Sequence, residues 1–256
     1  MEENKGFKSV MIVNIRSMDD LPVMERWIQH DHFPESCMHF GPGLARYMSY
    51  RVIPPPPEMY EDVKKFGYYN WRVTETWWPQ GRVPFSAGLN ARWTSKIVPD
   101  YDQIATMSAV NVPLVHAQDY KGQELTLDDR PMMRWVIAMR YPKGVSVQDG
   151  EDWFLNVFAK EALQQSGLTR FFSSPCIPGG RPGGPPPFNR WAEMWYTGFN
   201  SWKKSVIDSP PKFNKPSWAK YDKYPFLEPY VDFVSTFILE KPTNDNLRDR
   251  LGYIPG

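Results

Sequence analysis

The sequence predicts an α+β protein that consists of two tandem units, each with the element order βαββαβ. The first observation behind this prediction is a set of five landmarks that recur in the same order, pairing residues 10–78 with residues 134–196. The second is the change, within each half, between patterns typical of buried strands and a helical periodicity. The third is a Glu-x-Trp-aromatic motif that occurs once per half, at Glu75 and at Glu193.

Four strands are predicted in each unit. The segments 10–16 and 134–140 open the units, and both have the apolar content and terminal arginine of a matched pair of buried strands. Each second strand follows a glycine that suits a helix C-terminus, Gly43 or Gly167. The third strands carry the Glu-x-Trp-aromatic motif. The last strand of the second unit, within 230–239, alternates apolar and other residues as a half-buried strand does.

The helices between these strands are less evenly visible. The first helix of each unit holds a tryptophan and, eight positions later, a glutamate: Trp27 and Glu35 in one, Trp153 and Glu161 in the other. The second helix is clear only in the C-terminal half, where residues 202–208 precede two prolines that end a helix. Its counterpart in the N-terminal half is not recognisable.

The polar, charged segment 118–131 predicts a linker between the units. We therefore place the N-terminal unit at residues 1–125 and the C-terminal unit, which lacks the histidine motif, at residues 126–256. A four-stranded antiparallel sheet with helices on one face leaves its other face bare, so the two units are expected to pack sheet to sheet. Further association of two such chains as a homodimer remains open.

Composition and charge narrow the classes of function. Thirty basic and 29 acidic residues give a net charge of +1, which produces no strong field for nucleic acid or an anionic membrane. No apolar run approaches the roughly 20 residues that cross a bilayer, and the N-terminus lacks a secretory signal. Two cysteines form no disulfide framework. We expect a cytoplasmic protein with a small-molecule substrate, and neither nucleic acid nor membrane as a partner.

The first helix carries the residues that point most clearly to chemistry. His32 continues an apolar stripe that begins at Leu21 with helical spacing. Superposing Trp27 on Trp153 places His32 on Phe158, an apolar residue, so we expect His32 to point inward. Its role could be proton transfer, or that of a single hydrogen-bonded structural histidine.

Metal binding is a third interpretation of the same helix. His30, His32, Glu35 and His39 lie within ten residues of one another, and Glu35 and His39 are spaced for one helical face. Pro34 disfavours helical geometry just before it, so a kink or a helix end is expected there. The sequence leaves the choice between proton transfer, a structural role and metal binding open.

The segment Trp27-Ile-Gln-His30-Asp-His32-Phe-Pro34-Glu resembles the first helix of the EthD-like branch of the dimeric α+β barrel superfamily, which is built from ferredoxin-like units. The resemblance implies that this chain is a tandem-duplicated member of the superfamily. Enzymes of the superfamily include cofactor-free dehydratases, cyclases and oxygenases for aromatic or polyketide intermediates. It also implies that the matching histidines are acid-base candidates. Because related barrels bind haem, haem stays an alternative, with His116 as the candidate ligand.

The working hypothesis is a cofactor-independent lyase, isomerase or dehydratase that acts on a small aromatic or polyketide-like metabolite. His32 would be the general base or acid, and His30 or Asp31 would orient it. Alternatives are an enzyme that depends on a divalent metal or haem, and a metabolite-binding protein without catalysis. The candidate substrate-binding residues, chosen by their positions near strands, are Arg46, Tyr47, Tyr69 and Trp77.

Overall fold

The computed structural model describes residues 6–40, 43–53, 70–79, 104–114, 118–122, 133–177, 188–220, 233–239 and 244–245. Its contacts divide the chain into two compact units. The first contains Met1–Arg51, Asn70–Val115 and Pro242–Gly256, and the second contains Val52–Tyr69 and His116–Lys241. Both units combine one antiparallel sheet with helices, so the predicted α+β class with two ferredoxin-like units is confirmed.

The sheet of the first unit has the strand order β4-β1-β3-β2, with every neighbouring pair antiparallel. This is the arrangement that a βαββαβ unit produces. Strand β2 crosses the boundary between the units after Arg51. The strands are β1 (Phe7–Ile15), β2 (Arg46–Ile53), β3 (Arg72–Trp78) and β4 (Ala105–Pro113).

A nearly continuous helical segment follows β1. It starts with a 3₁₀ turn, Met18–Asp20, which Ser17 caps by accepting a hydrogen bond from the backbone N–H of residue 19. Helix α1 (Leu21–Trp27) leads into a π-helical turn, Ile28–His32, and helix α2 (Phe33–Phe40) continues from it. The helical segment therefore begins at Met18, three residues before the apolar stripe that starts at Leu21.

The sheet of the second unit has the order β9-β6-β8-β7-β5. Strand β5 occupies the start of the segment that was predicted to be a linker, because it pairs with β7 through Gln118 to Lys121. The second unit accordingly takes in residues from His116 onward, ahead of the boundary expected between residues 125 and 126. The strands are β5 (Gln118–Lys121), β6 (Met133–Met139), β7 (Leu168–Pro175), β8 (Arg190–Tyr196) and β9 (Phe233–Leu239).

The helices of the second unit repeat the pattern of the first. Helix α3 (Val147–Trp153), capped by the hydroxyl of Ser146, passes through a π-turn, Phe154–Phe158, into the short helix α4 (Ala159–Ala162). Helix α5 (Phe199–Lys203) ends in another π-turn, Lys204–Asp208. A two-residue strand, β10 (Asn244–Asp245), pairs with β2 of the first unit.

The two π-turns after α1 and α3 lie at equivalent positions, and in each the residue after the turn donates its N–H to the carbonyl five positions earlier. The sequence attributed an irregularity here to Pro34. Lys160 occupies the equivalent place in the second unit, where the π-turn forms all the same. The π-turn is thus a property of the repeated fold, and the attribution to the proline was wrong.

Buried ion pairs explain the Glu-x-Trp motif. Glu75 pairs with Lys8 at 3.3 Å in the first unit, and Glu193 pairs with Arg134 at 2.9 Å in the second. All four side chains are buried. The motif glutamate on the third strand therefore neutralises a basic residue on the neighbouring first strand, a role that explains why it occurs once in each unit.

Each unit packs its helices on one face of its sheet. In the first unit the core between them contains Met24, Ile28, Phe33, Tyr47 and Trp78. The core of the second unit contains large rings such as those of Trp135, Phe154, Phe158, Phe171 and Trp202. None of the helices in the described segments is both long and apolar enough to cross a membrane.

Candidate functional site

His32 is the last residue of the first π-turn, and its side chain is half-buried. Its imidazole lies against two rings, with centroids 4.7 Å from Trp27 and 5.9 Å from Phe33, and its Nδ1 atom is buried. Burial lowers the pKa of His32 from 6.5 to about 4, because a charged imidazolium loses its hydration there. At neutral pH the ring is therefore uncharged, with one donor and one acceptor nitrogen.

The π-turn changes which residue of this helix faces the sheet. The periodicity predicted that His32 continues the buried stripe, but Phe33 takes the core position and is fully buried. A π-turn holds one more residue than an α-helical turn, so the residue one position beyond the predicted one also reaches the core; in the second unit both equivalents, Phe158 and Ala159, are buried. In the first unit Phe33 is fully buried, and the polar His32 is only half-buried at the edge of the core.

Two buried hydroxyl groups connect the end of the π-turn to the sheet. The Ser36 hydroxyl donates a hydrogen bond of 2.6 Å to the backbone carbonyl of His32. The Tyr47 hydroxyl, on strand β2, donates to Ser36 Oγ at 3.3 Å, and the edge of its ring meets Phe33 at 5.5 Å between centroids. We call these two residues the Tyr47–Ser36 hydroxyl pair.

The second unit lacks every polar member of this arrangement. Its strand register is the same, since Arg46 pairs with Trp77 as Arg170 pairs with Trp195. The chain can therefore be compared with itself position by position, and at three positions a polar residue of the first unit is replaced by an apolar one. These replacements are Phe158 for His32, Ala162 for Ser36 and Phe171 for Tyr47.

The other predicted acid-base residues flank His32 in the π-turn. His30 is exposed and Asp31 is partly exposed. Ile28, at the start of the same turn, is buried. The proposed role of His30 or Asp31 in orienting His32 stays a prediction.

The structure separates the substrate-binding residues that the sequence grouped together. Tyr47 joins the core beneath the helices. Arg46 and Trp77 lie on the opposite face of the sheet, because side chains alternate along a strand; there the exposed Arg46 guanidinium is 5.8 Å from the Trp77 ring and Lys8 Nζ is 5.5 Å from it. Of the candidates that lie in described segments, then, the structure brings only Tyr47 to the helix that carries His32.

The side chains of three predicted site residues lie outside the described part of the structure. Tyr69 and His116 lie outside the described residues, and so does the side chain of His39, although its backbone belongs to α2. Within the described part of the chain, no group of three or more histidine, cysteine, aspartate or glutamate side chains is arranged to hold a metal ion. The metal and haem alternatives therefore remain sequence-based hypotheses.

Ser36 is the residue that the sequence interpretation missed. It is 2% exposed and contacts both the His32 carbonyl and the Tyr47 hydroxyl. The signal was present in the repeat, since Ser36 follows Glu35 just as Ala162 follows Glu161. A comparison of the two halves at every polar position of the helix would have found it.

The chain is similar in sequence to one known domain family. Residues 4–108 match the family described as the chalcone isomerase N-terminal domain, a match that covers less than half of the chain and includes the helix with His32. No curated protein matches the chain.

Solved structures are similar over nearly the whole length at very low identity. An anthrone oxidase-like protein shares 9% identity with a TM-score of 0.51, covering 93% of this chain and 92% of that one. A mutant chlorite dismutase from Candidatus Nitrospira defluvii shares 8% identity over 93% and 92% of the two chains, with a TM-score of 0.47. A putative monooxygenase from Lactobacillus acidophilus shares 11% over 91% and 93%, with a TM-score of 0.39. The first of these supports the fold and nothing beyond it.

Proposed function

We propose that this protein is an isomerase, or a related lyase, that moves a proton on a small aromatic compound at His32 without a cofactor. The observation that carries the proposal is the uncharged, half-buried imidazole of His32, held against the rings of Trp27 and Phe33. It lies inside the segment that matches the chalcone isomerase N-terminal domain. That match supports an isomerase of aromatic metabolites.

An uncharged imidazole is the form that accepts a proton, and the lowered pKa keeps His32 in this form at any pH well above about 4. A pKa this low makes a weak base in the free protein. A phenolate formed beside the ring would raise that pKa in the complex, because an opposite charge favours the imidazolium. Since Nδ1 is buried, we assign Nε2 as the nitrogen that meets the substrate.

A hydroxychalcone is a suitable probe of this chemistry. His32 would take the proton of the phenol, the phenolate oxygen would form a bond to the β-carbon of the enone, and the proton would return to the α-carbon. The C=C bond is lost and one C–O bond forms, so the product is an isomer and neither an oxidant nor a reductant is consumed. Trp27 and Phe33 are themselves buried, so they hold the imidazole from the core side and leave its exposed edge to meet the substrate.

The test is the loss of the long-wavelength absorbance of 2′-hydroxychalcone, followed with the wild-type protein after dialysis against a chelator. His32→Gln is expected to lower kcat by about 100-fold or more, the scale of general acid-base catalysis. Arg26→Gln, which changes an exposed residue of the same helix that has no proposed role, is the matched control. Turnover by a folded His32→Gln protein at the wild-type rate would reject His32 as the base.

The same assay separates the alternative functions. Turnover that disappears with the chelator and returns with a divalent metal would favour the metal-dependent alternative over this proposal. Binding of the chalcone without any turnover by the wild-type protein would favour a metabolite-binding protein.

A further inference from the structure

We infer that Ser36 and Tyr47 are positioning residues for His32, acting through the backbone carbonyl at the end of the π-turn. The inference rests on the proposed function, in which His32 transfers the proton, and it adds the residues that fix the place of its ring. Ser36 donates to the His32 carbonyl at 2.6 Å and accepts from the Tyr47 hydroxyl at 3.3 Å.

The hydroxyl pair is not needed to form the π-turn. The second unit forms the same turn with Ala162 and Phe171 at the equivalent positions, and there the residue at the end of the turn is a phenylalanine. A fully buried Phe158 is held by its own packing against Phe154 and Phe171. The hydroxyl groups thus occur only in the unit where the turn ends in histidine.

A histidine at the edge of the core needs a different kind of restraint. His32 is half-buried, whereas Phe158 is fully buried among the rings of its core. The hydrogen bond from Ser36 ties the His32 carbonyl to the next turn of the helix, and Tyr47 ties that hydroxyl to strand β2. The turn is thereby anchored to the sheet, and the direction of the imidazole follows from the direction of its backbone.

The chain itself supplies the test variants. Ser36→Ala and Tyr47→Phe install the residues of the second unit, and Ser36→Thr keeps a hydroxyl group at the same position. Thr74→Val is the matched control, because it removes another buried hydroxyl of the first unit, one that bonds Ser49 at 3.1 Å, and has Ala192 as its counterpart. The readouts are the pH titration of the His32 ring by NMR, and kcat and KM for 2′-hydroxychalcone.

In Ser36→Ala and Tyr47→Phe we expect the His32 titration to move toward 6.5, as a loosened ring gains hydration, and kcat to fall about tenfold with KM nearly unchanged, in line with the rate losses that small displacements cause. Ser36→Thr, which keeps the hydroxyl group, is expected to show the wild-type His32 titration and the wild-type kcat. Thr74→Val is expected to lower the melting temperature without changing the His32 titration or kcat.

If the His32 titration and kcat in Ser36→Ala match those of the wild type, or follow Thr74→Val, the positioning role is wrong. The failure of the proposed function looks different. In that case the His32 titration would still move in Ser36→Ala, but His32→Gln would turn over the chalcone at the wild-type rate.

Discussion

Replacing His32 with phenylalanine should stabilise the protein in mildly acidic solution. The change installs the residue that the second unit carries at the same position, Phe158, which is fully buried there. It also removes a group whose pKa burial lowers to about 4. The effect can therefore be predicted in both sign and size.

The sign follows from proton binding by the two states. Below pH 6.5 the unfolded chain protonates this histidine, whereas the folded protein keeps it uncharged until the pH approaches about 4. The free energy of unfolding of the wild type therefore falls as the pH decreases through this window. Above the window the uncharged His32 causes no such loss. From these two pKa values the loss between about pH 7.5 and about pH 5 is about 2 kcal/mol, and partial exposure of the ring reduces it toward about 1 kcal/mol.

Urea unfolding at those two pH values measures the difference. The carboxylates contribute equally to the pH dependence of both proteins, so their contribution cancels in the comparison. On acidification the free energy of unfolding of His32→Phe should therefore fall by about 1–2 kcal/mol less than that of the wild type. Equal losses for the wild type and His32→Phe would refute the idea that burial depresses the pKa of His32.

Three further predictions concern the scaffold. Glu193→Gln, which breaks a buried ion pair, should lower the free energy of unfolding by about 3–5 kcal/mol, whereas Asp208→Asn, which breaks an exposed pair, should change it by less than about 1 kcal/mol; urea unfolding checks both. Gly150→Ala should lower it by about 1–3 kcal/mol, because the added methyl group would overlap the ring of Tyr141, and an unchanged melting curve would contradict this. Burial raises the pKa of the Cys176 thiol to about 12, so iodoacetamide should modify it in urea and scarcely in the native protein, as mass spectrometry of the modified peptide would reveal.

The duplicated fold could be predicted because strands and helices leave different periodicities, and because five landmarks fix the alignment of the halves. The landmarks Glu75 and Glu193 prove to be buried partners of basic residues in strands β1 and β6. Strand β5 was missed, since a short polar edge strand such as Gln118–Lys121 has no apolar alternation that separates it from a linker.

The candidate site was predicted only in part. The superposition of the two halves identified His32, but a hydrogen bond from residue i to the carbonyl at i−5 leaves no pattern of residue types, so the π-turn could not be anticipated. Counting at α-helical spacing continued the buried stripe to His32, which is half-buried, whereas the fully buried residue is Phe33. Arg46 and Trp77 were grouped with Tyr47 by their positions near strands, a choice that did not consider the alternation of side chains along a strand.

An NMR titration of the His32 ring, with and without a ligand, tests the central claim most directly. The probe is 2′-hydroxydihydrochalcone, which has the phenol and the ketone but no C=C bond to close on, and the signal is assigned by its absence in His32→Phe. We expect a midpoint near 4 in the free protein and a clear rise in that midpoint when the ligand binds. A midpoint near 6.5 that the ligand leaves unchanged would contradict both the burial of His32 and its place in the substrate site.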